Sequence, residues 1–160
     1  MKAYAMKKFT HALIYGQHEE ASEILVDKGV IKQIGKNLPK ADEEVDLRGR
    51  LVVPPYVDAH LHLDYVYTGG GANARNASGT LFEGIARWHD VKKTQTLEDA
   101  RERALKGIQE EVFKGVQFIR THIDVCDPSL TGLKAMLEIR EKLKDKVTIQ
   151  IVAFPQEGMY

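Results

Sequence analysis

Three hydrophobic runs, at residues 52–59, 116–121 and 147–154, occur in the second part of the chain, and each leads into polar side chains. Near-continuous apolar runs of this length are typical of strands buried on both faces of a parallel sheet. A helix is predicted between the first and second of these runs. Thr96 opens it with a hydroxyl cap, and apolar residues recur at helical spacing until Gly115. The alternation of strands and helices predicts an α/β fold of parallel βα units.

Two further helical segments complete this pattern. Asp127 and Pro128 are expected to cap and begin a helix between the last two strands. A shorter helical segment is predicted at residues 81–88, with Leu81, Ile85 and Trp88 facing inward. Residues 65–78 have glycines and asparagines and no hydrophobic period, which predicts a loop. Because this loop follows the first strand directly, we expect it to lie over that strand's end.

The short apolar runs and turn residues of positions 1–51 predict a small β module. A first strand is expected at residues 9–15, followed by a turn at 16–18. Two short apolar runs at 22–27 and 30–34 then flank Asp27-Lys28-Gly29, where glycine can take the positive φ of a tight hairpin. A further strand is predicted near Val45 to Leu47. The histidines of this module, His11 and His18, are interpreted as ordinary surface residues.

Two histidines, His60 and His62, stand at the end of the first long strand. Residues two apart in a strand share a face, so their imidazoles should converge while Leu61 packs the other way. Neutral imidazole suits Zn, Fe and Ni, and a complete site needs about three or four protein ligands. Such a pair also occurs by chance in soluble chains, so the spacing alone indicates only half of a metal site.

The residues around this pair resemble the amidohydrolase superfamily, whose first barrel strand carries Pro-Gly-hydrophobic-hydrophobic-Asp-x-His-x-His. The chain has Val53-Pro54-Pro55-Tyr56-Val57-Asp58-Ala59-His60-Leu61-His62, so that Pro55 replaces the usual glycine. Within the superfamily the sequence is similar to the cytosine deaminase branch. Four more segments fit that branch in the same order, so the resemblance covers essentially the whole chain; they are residues 78–85, 120–125, 133–138 and 150–158.

The resemblance implies the N-terminal part of a metal-dependent (β/α)8 TIM barrel preceded by a small β-sandwich module. Residues 1–51 would contribute to the sandwich, and residues 52–160 would form the first three βα units. A full barrel needs about 250 residues, so we expect this chain to be the N-terminal portion of a larger enzyme. The remaining metal ligands and the catalytic glutamate of the family are expected beyond Tyr160.

For the complete enzyme, the resemblance implies hydrolytic deamination of cytosine to uracil and ammonia by a metal-activated water. His60 and His62 would hold one divalent ion, Zn or Fe. Gln156 would read the amide edge of the ring, because a carboxamide offers both a donor and an acceptor; its alternative is a solvent-facing loop residue.

Three more side chains are candidates for the substrate pocket. Leu81 would pack on the ring and Phe154 would line the pocket, although both are also interpretable as core residues. His122 is a candidate substrate contact or a hydrogen-bonding partner within the site, or else a core histidine, and it is not predicted to be a metal ligand.

Other functions remain open at this point. A deaminase or amidohydrolase of the same scaffold could act on isocytosine, an aminotriazine or creatinine. A two-metal cyclic amidase would need a modified lysine on a fourth strand. A non-catalytic fragment that needs a complementary chain is the third alternative, and the isolated 160-residue chain is expected to be inactive.

The composition of the chain limits the classes of binding partner that we expect. Lys plus Arg equals Asp plus Glu at 23 each, and no basic stripe favours nucleic acid or an anionic membrane. A small neutral substrate, a pyrimidine-like base, suits the chain better. We expect a cytoplasmic protein, because the N-terminus lacks the apolar core of a signal peptide, and a homo-oligomer when complete. The single cysteine, Cys126, forbids an internal disulfide and is interpreted as a small buried hydrophobic residue.

Overall fold

Two adjacent prolines, Pro54 and Pro55, divide the chain into two compact units, Met1–Pro54 and Pro55–Tyr160. The computed structural model describes residues 5–16, 22–70 and 75–158. His18 and most of the predicted turn around it therefore lie outside the described residues. Within the described residues, no helix is both long enough and apolar enough to cross a membrane.

The first unit is a mixed sheet centred on its first strand. That strand, β1, pairs antiparallel with β2 and parallel with β4 and β5. The hairpin predicted for this unit is confirmed, because β2 and β3 pair antiparallel. Lys28 and Gly29 between them have φ values of 52° and 76°, as a twisted two-residue hairpin turn requires. The strands are β1 (Lys7–Ile14), β2 (Ser22–Asp27), β3 (Val30–Gly35), β4 (Glu43–Asp46) and β5 (Leu51–Val52).

The second unit contains a parallel sheet in the order β6-β7-β8, which confirms the predicted parallel neighbours. Helix α2 lies between β6 and β7 in the chain, and α3 lies between β7 and β8. The elements are β6 (Tyr56–Leu61), a 3-10 turn (Thr68–Gly70), α1 (Leu81–Lys92), α2 (Leu97–Phe113), β7 (Val116–Asp124), α3 (Thr131–Leu143) and β8 (Thr148–Phe154).

The prediction of one strand over residues 52–59 was wrong at its start. Val52 pairs with Ile14 in the sheet of the first unit, whereas the histidine-bearing strand begins only at Tyr56. Proline has no backbone N–H and cannot continue a strand ladder. The two prolines therefore end one sheet and allow a new strand to begin in the next.

The core of the second unit lies between the sheet and helices α2 and α3. Ile119 and Ile123 of β7 are 2% and 0% exposed, because alternate residues of this central strand face the helices. The other fully packed members of this cluster are Leu63, Ala104, Ile108, Val116, Met136, Ile139, Val147 and Ile149.

Helix α3 begins later than predicted. Asp127 accepts hydrogen bonds from the backbone N–H groups of Ser129 and Thr131, each at 2.9 Å. Leu130 has a φ of 52°, so these residues form a turn, and the first helical residue is Thr131. Asp127 thus satisfies the N–H of the first helical residue from within a turn and is not the residue that begins the helix.

The cap of α2 provides a stability test. Thr96 Oγ1 accepts a hydrogen bond from the Asp99 N–H at 3.1 Å, as predicted. Thr96→Ala is expected to lower the free energy of unfolding by about 1 kcal/mol, because one helical N–H loses its partner. Thr96→Ser keeps the hydroxyl and should retain most of that stability. Urea unfolding of the two variants measures the difference, and equal midpoints would show that the cap contributes nothing.

Candidate metal and substrate site

The histidine pair lies at the carboxyl end of β6. The Nε2 atoms of His60 and His62 are 3.3 Å apart, which confirms that the two imidazoles converge. Two nitrogens bound to one tetrahedral ion at about 2.0–2.1 Å would be roughly 3.3–3.4 Å apart. The pair therefore fits a single metal ion, and the same distance also allows a hydrogen bond between one protonated and one bare nitrogen.

A third histidine, His122 of β7, joins the pair. Its ring stacks on His60, with centroids 4.1 Å apart and planes 21° apart, and lies 5.6 Å from the ring of His62. Phe154, at the end of β8, presents its edge at 5.4 Å from His62 and 6.0 Å from His122. The carboxyl ends of the three parallel strands therefore meet at one place, as predicted.

The environment favours neutral imidazole at His62. Burial lowers the pKa of His62, and the neighbouring His60 and His122 lower it further. A metal ligand must carry a free lone pair, which only the neutral ring has. Among the residues that the structure describes, no group of three His, Cys, Asp or Glu side chains could hold a metal ion.

A cavity of about 230 Å³ adjoins these histidines through Tyr65. The Tyr65 ring stacks on His62 at 4.7 Å and lies 5.2 Å from Trp88. Burial, with Asp64 and Asp124 nearby, raises the pKa of Tyr65 to about 12, so its phenol stays protonated. The cavity is lined by Tyr65, Thr68, Asn76, Leu81, Gly84, Ile85, Arg87, Trp88, Val91 and Gln156.

Gln156 lies two residues beyond β8, at the wall of this cavity. Its Oε1 is buried and has no hydrogen-bond partner. A buried acceptor without a partner costs free energy, and a donor from a bound ligand would offset that cost if the side chain turned its oxygen towards the cavity. Gln156 therefore belongs to the wall of this cavity, and its role in reading the ring stays a prediction.

The two predicted apolar contacts differ in position. Leu81 lines the cavity but is 72% exposed, so the prediction that it faces inward was wrong. Helical spacing identifies an apolar stripe without showing whether a core or an open cavity lies beside it. Phe154 packs on the histidine rings and is not among the side chains that line the cavity.

A buried polar network that no sequence pattern predicts lies beside the cavity. Asp124 Oδ2 accepts hydrogen bonds from Trp88 Nε1 at 2.8 Å and from Lys92 Nζ at 2.9 Å, and its Oδ1 accepts the Cys126 N–H at 2.8 Å. Asp64 Oδ2 in turn accepts the Asp124 N–H at 2.8 Å. These partners hold α1 against the end of β7.

Lys92, Asp124 and Glu157 have pKa values shifted in the direction that favours their charged forms. Burial alone would raise the pKa of Asp124, but the Cys126 N–H, Lys92 and Trp88 outweigh it and hold that pKa below its usual value. Lys92 also pairs with Glu157, which accepts a second hydrogen bond from His89 Nδ1 at 2.8 Å if that nitrogen is protonated. The Lys92 ammonium thus faces two carboxylates.

Comparison with known proteins adds three findings. The structure of 5-methylcytosine deaminase from Klebsiella pneumoniae with 5-fluorocytosine matches at a TM-score of 0.83 and 42% identity, over 94% of this chain and 37% of that one. N-isopropylammelide isopropyl amidohydrolase of Pseudomonas sp. is 32% identical over 85% of this chain and 35% of the relative. Pterin deaminase of Rhizobium rhizogenes is 29% identical over 86% and 32%.

The chain spans about a third of the length of these relatives, with shares of 37%, 35% and 32%. The model of the amidohydrolase family matches residues 43–160, a range that includes the histidine pair, the three parallel strands and Gln156. The chain therefore belongs to the amidohydrolase family.

Proposed function

We propose that an enzyme containing this chain deaminates a cytosine-like ring by hydrolysis, converting cytosine to uracil and ammonia. The observation that carries this proposal is that Gln156, whose carboxamide oxygen is buried without a partner, lines a cavity that adjoins two converging imidazoles. A C–N hydrolase of this kind needs a nucleophilic water at neutral pH and a group that recognises the ring. The chain provides candidates for part of the first requirement and for the second.

His60 and His62 would hold a divalent ion, Zn or Fe. When bound, such an ion would lower the pKa of a water molecule towards about 7, so that a nucleophile would exist at neutral pH. The chain's own contribution is to favour the neutral form of His62, whose pKa burial lowers, and to orient both rings. His122 supports this by stacking on His60, at a centroid distance of 4.1 Å.

Gln156 would select the ring. Its carboxamide offers an acceptor, Oε1, beside a donor, Nε2, and the amide edge of a pyrimidine offers the complementary donor and acceptor side by side. Tyr65 and Trp88 give the cavity aromatic walls, which suit a flat ring. At about 230 Å³ the cavity suits a single small ring, since sites for drug-sized ligands are about 300–1,000 Å³.

The relatives support a small nitrogen-containing substrate but not one particular ring. Their names refer to 5-methylcytosine, N-isopropylammelide and pterin. The preference for a cytosine-like ring comes from Gln156 and from the 42% identity to the 5-methylcytosine deaminase. We further propose that β6, β7 and β8 are the first three strands of a (β/α)8 barrel and that the mixed sheet of residues 1–54 contributes to a β-sandwich.

Gln156→Ala tests the ring-reading role in the complete, metal-loaded enzyme. The substitution leaves ring polar groups without partners, at about 1–3 kcal/mol per group, so kcat/KM for cytosine is expected to fall about tenfold to hundredfold. Metal content should not change. A matched control is Gln109→Ala, because Gln109 is an exposed residue of helix α2 and does not line the cavity.

Turnover should be measured on cytosine, 5-methylcytosine, isocytosine, an aminotriazine and creatinine. Wild-type kcat/KM in Gln156→Ala on all five compounds would show that Gln156 does not read the ring. Faster wild-type turnover of creatinine or the aminotriazine than of either cytosine would assign the site to a different substrate on the same scaffold.

A further inference from the structure

We propose that Lys92 and Glu157 are positioning residues that fix the orientation of Gln156 and thereby set which ring the site accepts. This inference rests on the ring-reading role of Gln156 proposed above. It concerns a pair of charged side chains that do not line the cavity and that join three separate parts of the second unit.

Lys92 lies in the last turn of α1, and its side chain is only 6% exposed. Its ammonium donates to Asp124 Oδ2 at 2.9 Å, at the end of β7, and also pairs with Glu157, three residues beyond β8. One ammonium group therefore holds the end of a helix, the end of a strand and the loop that carries Gln156.

Glu157 and Gln156 are adjacent residues of the same tight turn. The Gly158 N–H donates to the Pro155 carbonyl at 3.0 Å, so residues 155–158 form a four-residue turn with Gln156 and Glu157 at its centre. Pro155 has a fixed φ, and Gly158 takes a φ of 92°. In so tight a turn, the position of the Glu157 side chain constrains the backbone of Gln156.

A second contact holds the same turn from the other side. The Glu157 N–H approaches Cys126 Sγ at 3.5 Å, and the Cys126 N–H donates to Asp124 Oδ1 at 2.8 Å. The Val125 N–H donates to the Phe154 carbonyl at 3.0 Å. The segment after β7 therefore supports the turn along its backbone, while Lys92 fixes it through a side chain.

Stability alone does not explain a buried lysine at this place. Apolar residues of similar volume often stabilise a protein as well as a buried ion pair does. Unlike an apolar contact, the charged pair is directional, because an ammonium with two carboxylate partners allows few arrangements of the Glu157 side chain. Fixed direction is what a ring-reading carboxamide on the next residue requires.

Lys92→Met in the complete, metal-loaded enzyme tests the inference. The methionine fills the same space without the charge, and kcat/KM for cytosine is expected to fall about tenfold to hundredfold, as misplacement of a positioning contact does. Metal content should stay at the wild-type level, and Lys92→Arg should restore part of the activity. Lys93→Met is the matched control, because the Lys93 side chain forms an exposed ion pair with Asp90 at 3.2 Å.

A double-mutant comparison separates positioning from general stability. If Lys92 acts through Gln156, Lys92→Met should cause no further loss of kcat/KM in a Gln156→Ala background. Glu157→Ala should show the same dependence on Gln156. This second variant is available if Lys92→Met does not fold, because the Glu157 side chain is 25% exposed and lies in a turn.

Two outcomes would overturn the inference in different ways. An undiminished loss in the Gln156→Ala background, or unchanged kcat/KM in both Lys92→Met and Glu157→Ala, would leave the role of Gln156 intact but show that the charged pair does not position it. Unchanged kcat/KM in Gln156→Ala itself would refute the ring-reading function and the inference together.

Discussion

Alanine at His60 or His62 is expected to abolish the binding of a divalent ion to this chain. If His60 and His62 are the two ligands that we propose, the wild-type chain should bind Zn or Fe weakly, because a stable site needs three or four. Removing one leaves a single imidazole. Since loss of a residue that merely supports a ligand costs about 10–100-fold in affinity, loss of a ligand should cost more than about 100-fold.

Competition with a coloured chelator measures this affinity without requiring turnover. His11→Ala is the control, because His11 belongs to the first unit and bonds to Asp46 at 2.8 Å. In the complete enzyme the same two variants should lose their metal and all activity. Tight stoichiometric metal together with deaminase activity in the 160-residue chain would contradict the two-ligand interpretation.

Asp124→Ala is expected to be the most destabilising single change in the network around the cavity. It leaves the buried Lys92 ammonium without one of its carboxylates and Trp88 Nε1 without its acceptor. Breaking a buried ion pair by removing one partner costs about 3–5 kcal/mol. Asp90→Ala, which removes an exposed pair with Lys93, should cost about 0–1 kcal/mol. Similar unfolding midpoints for the two variants would contradict the assignment.

The contribution of Asp124 should also depend on pH. Burial opposes ionisation, but the donors from Cys126, Lys92 and Trp88 hold the pKa of Asp124 below its ordinary value of 3.8. A carboxyl group with a lowered pKa in the folded state contributes stability above its unfolded pKa, and that stability is lost as the pH falls through the folded value. The difference between wild type and Asp124→Ala should therefore be full near pH 7 and shrink below about pH 4. A constant difference down to pH 2 would show that Asp124 acts without its charge.

The sheet of the second unit could be predicted because its signals are local. An apolar run followed by polar residues identifies a buried strand and its functional end, and the two-residue spacing of His60 and His62 puts them on one face. The hairpin at Lys28 and Gly29 was predictable for the same reason, since the turn needs left-handed backbone at two adjacent positions.

The network of Lys92, Asp124 and Glu157 could not be predicted in this way. Its hydrogen bonds join residues 32 and 65 positions apart, and no periodicity links such positions. A lysine at the end of an amphipathic helix is normally a solvated residue. The only local signal was a polar residue, Asp124, two positions beyond His122 in the pattern of β7.

The cavity has two kinds of wall, and this bears on how its substrate range can evolve. Leu81 on α1 is 72% exposed, and substitutions at exposed positions usually change stability by no more than about 0.5 kcal/mol. New side chains can therefore appear there without loss of the fold. The wall formed by Gln156 belongs to a turn in which Glu157 pairs with the buried Lys92. If the proposed function is correct, mutations along α1 could therefore change which ring substituents the cavity accepts without altering the residues at the strand ends.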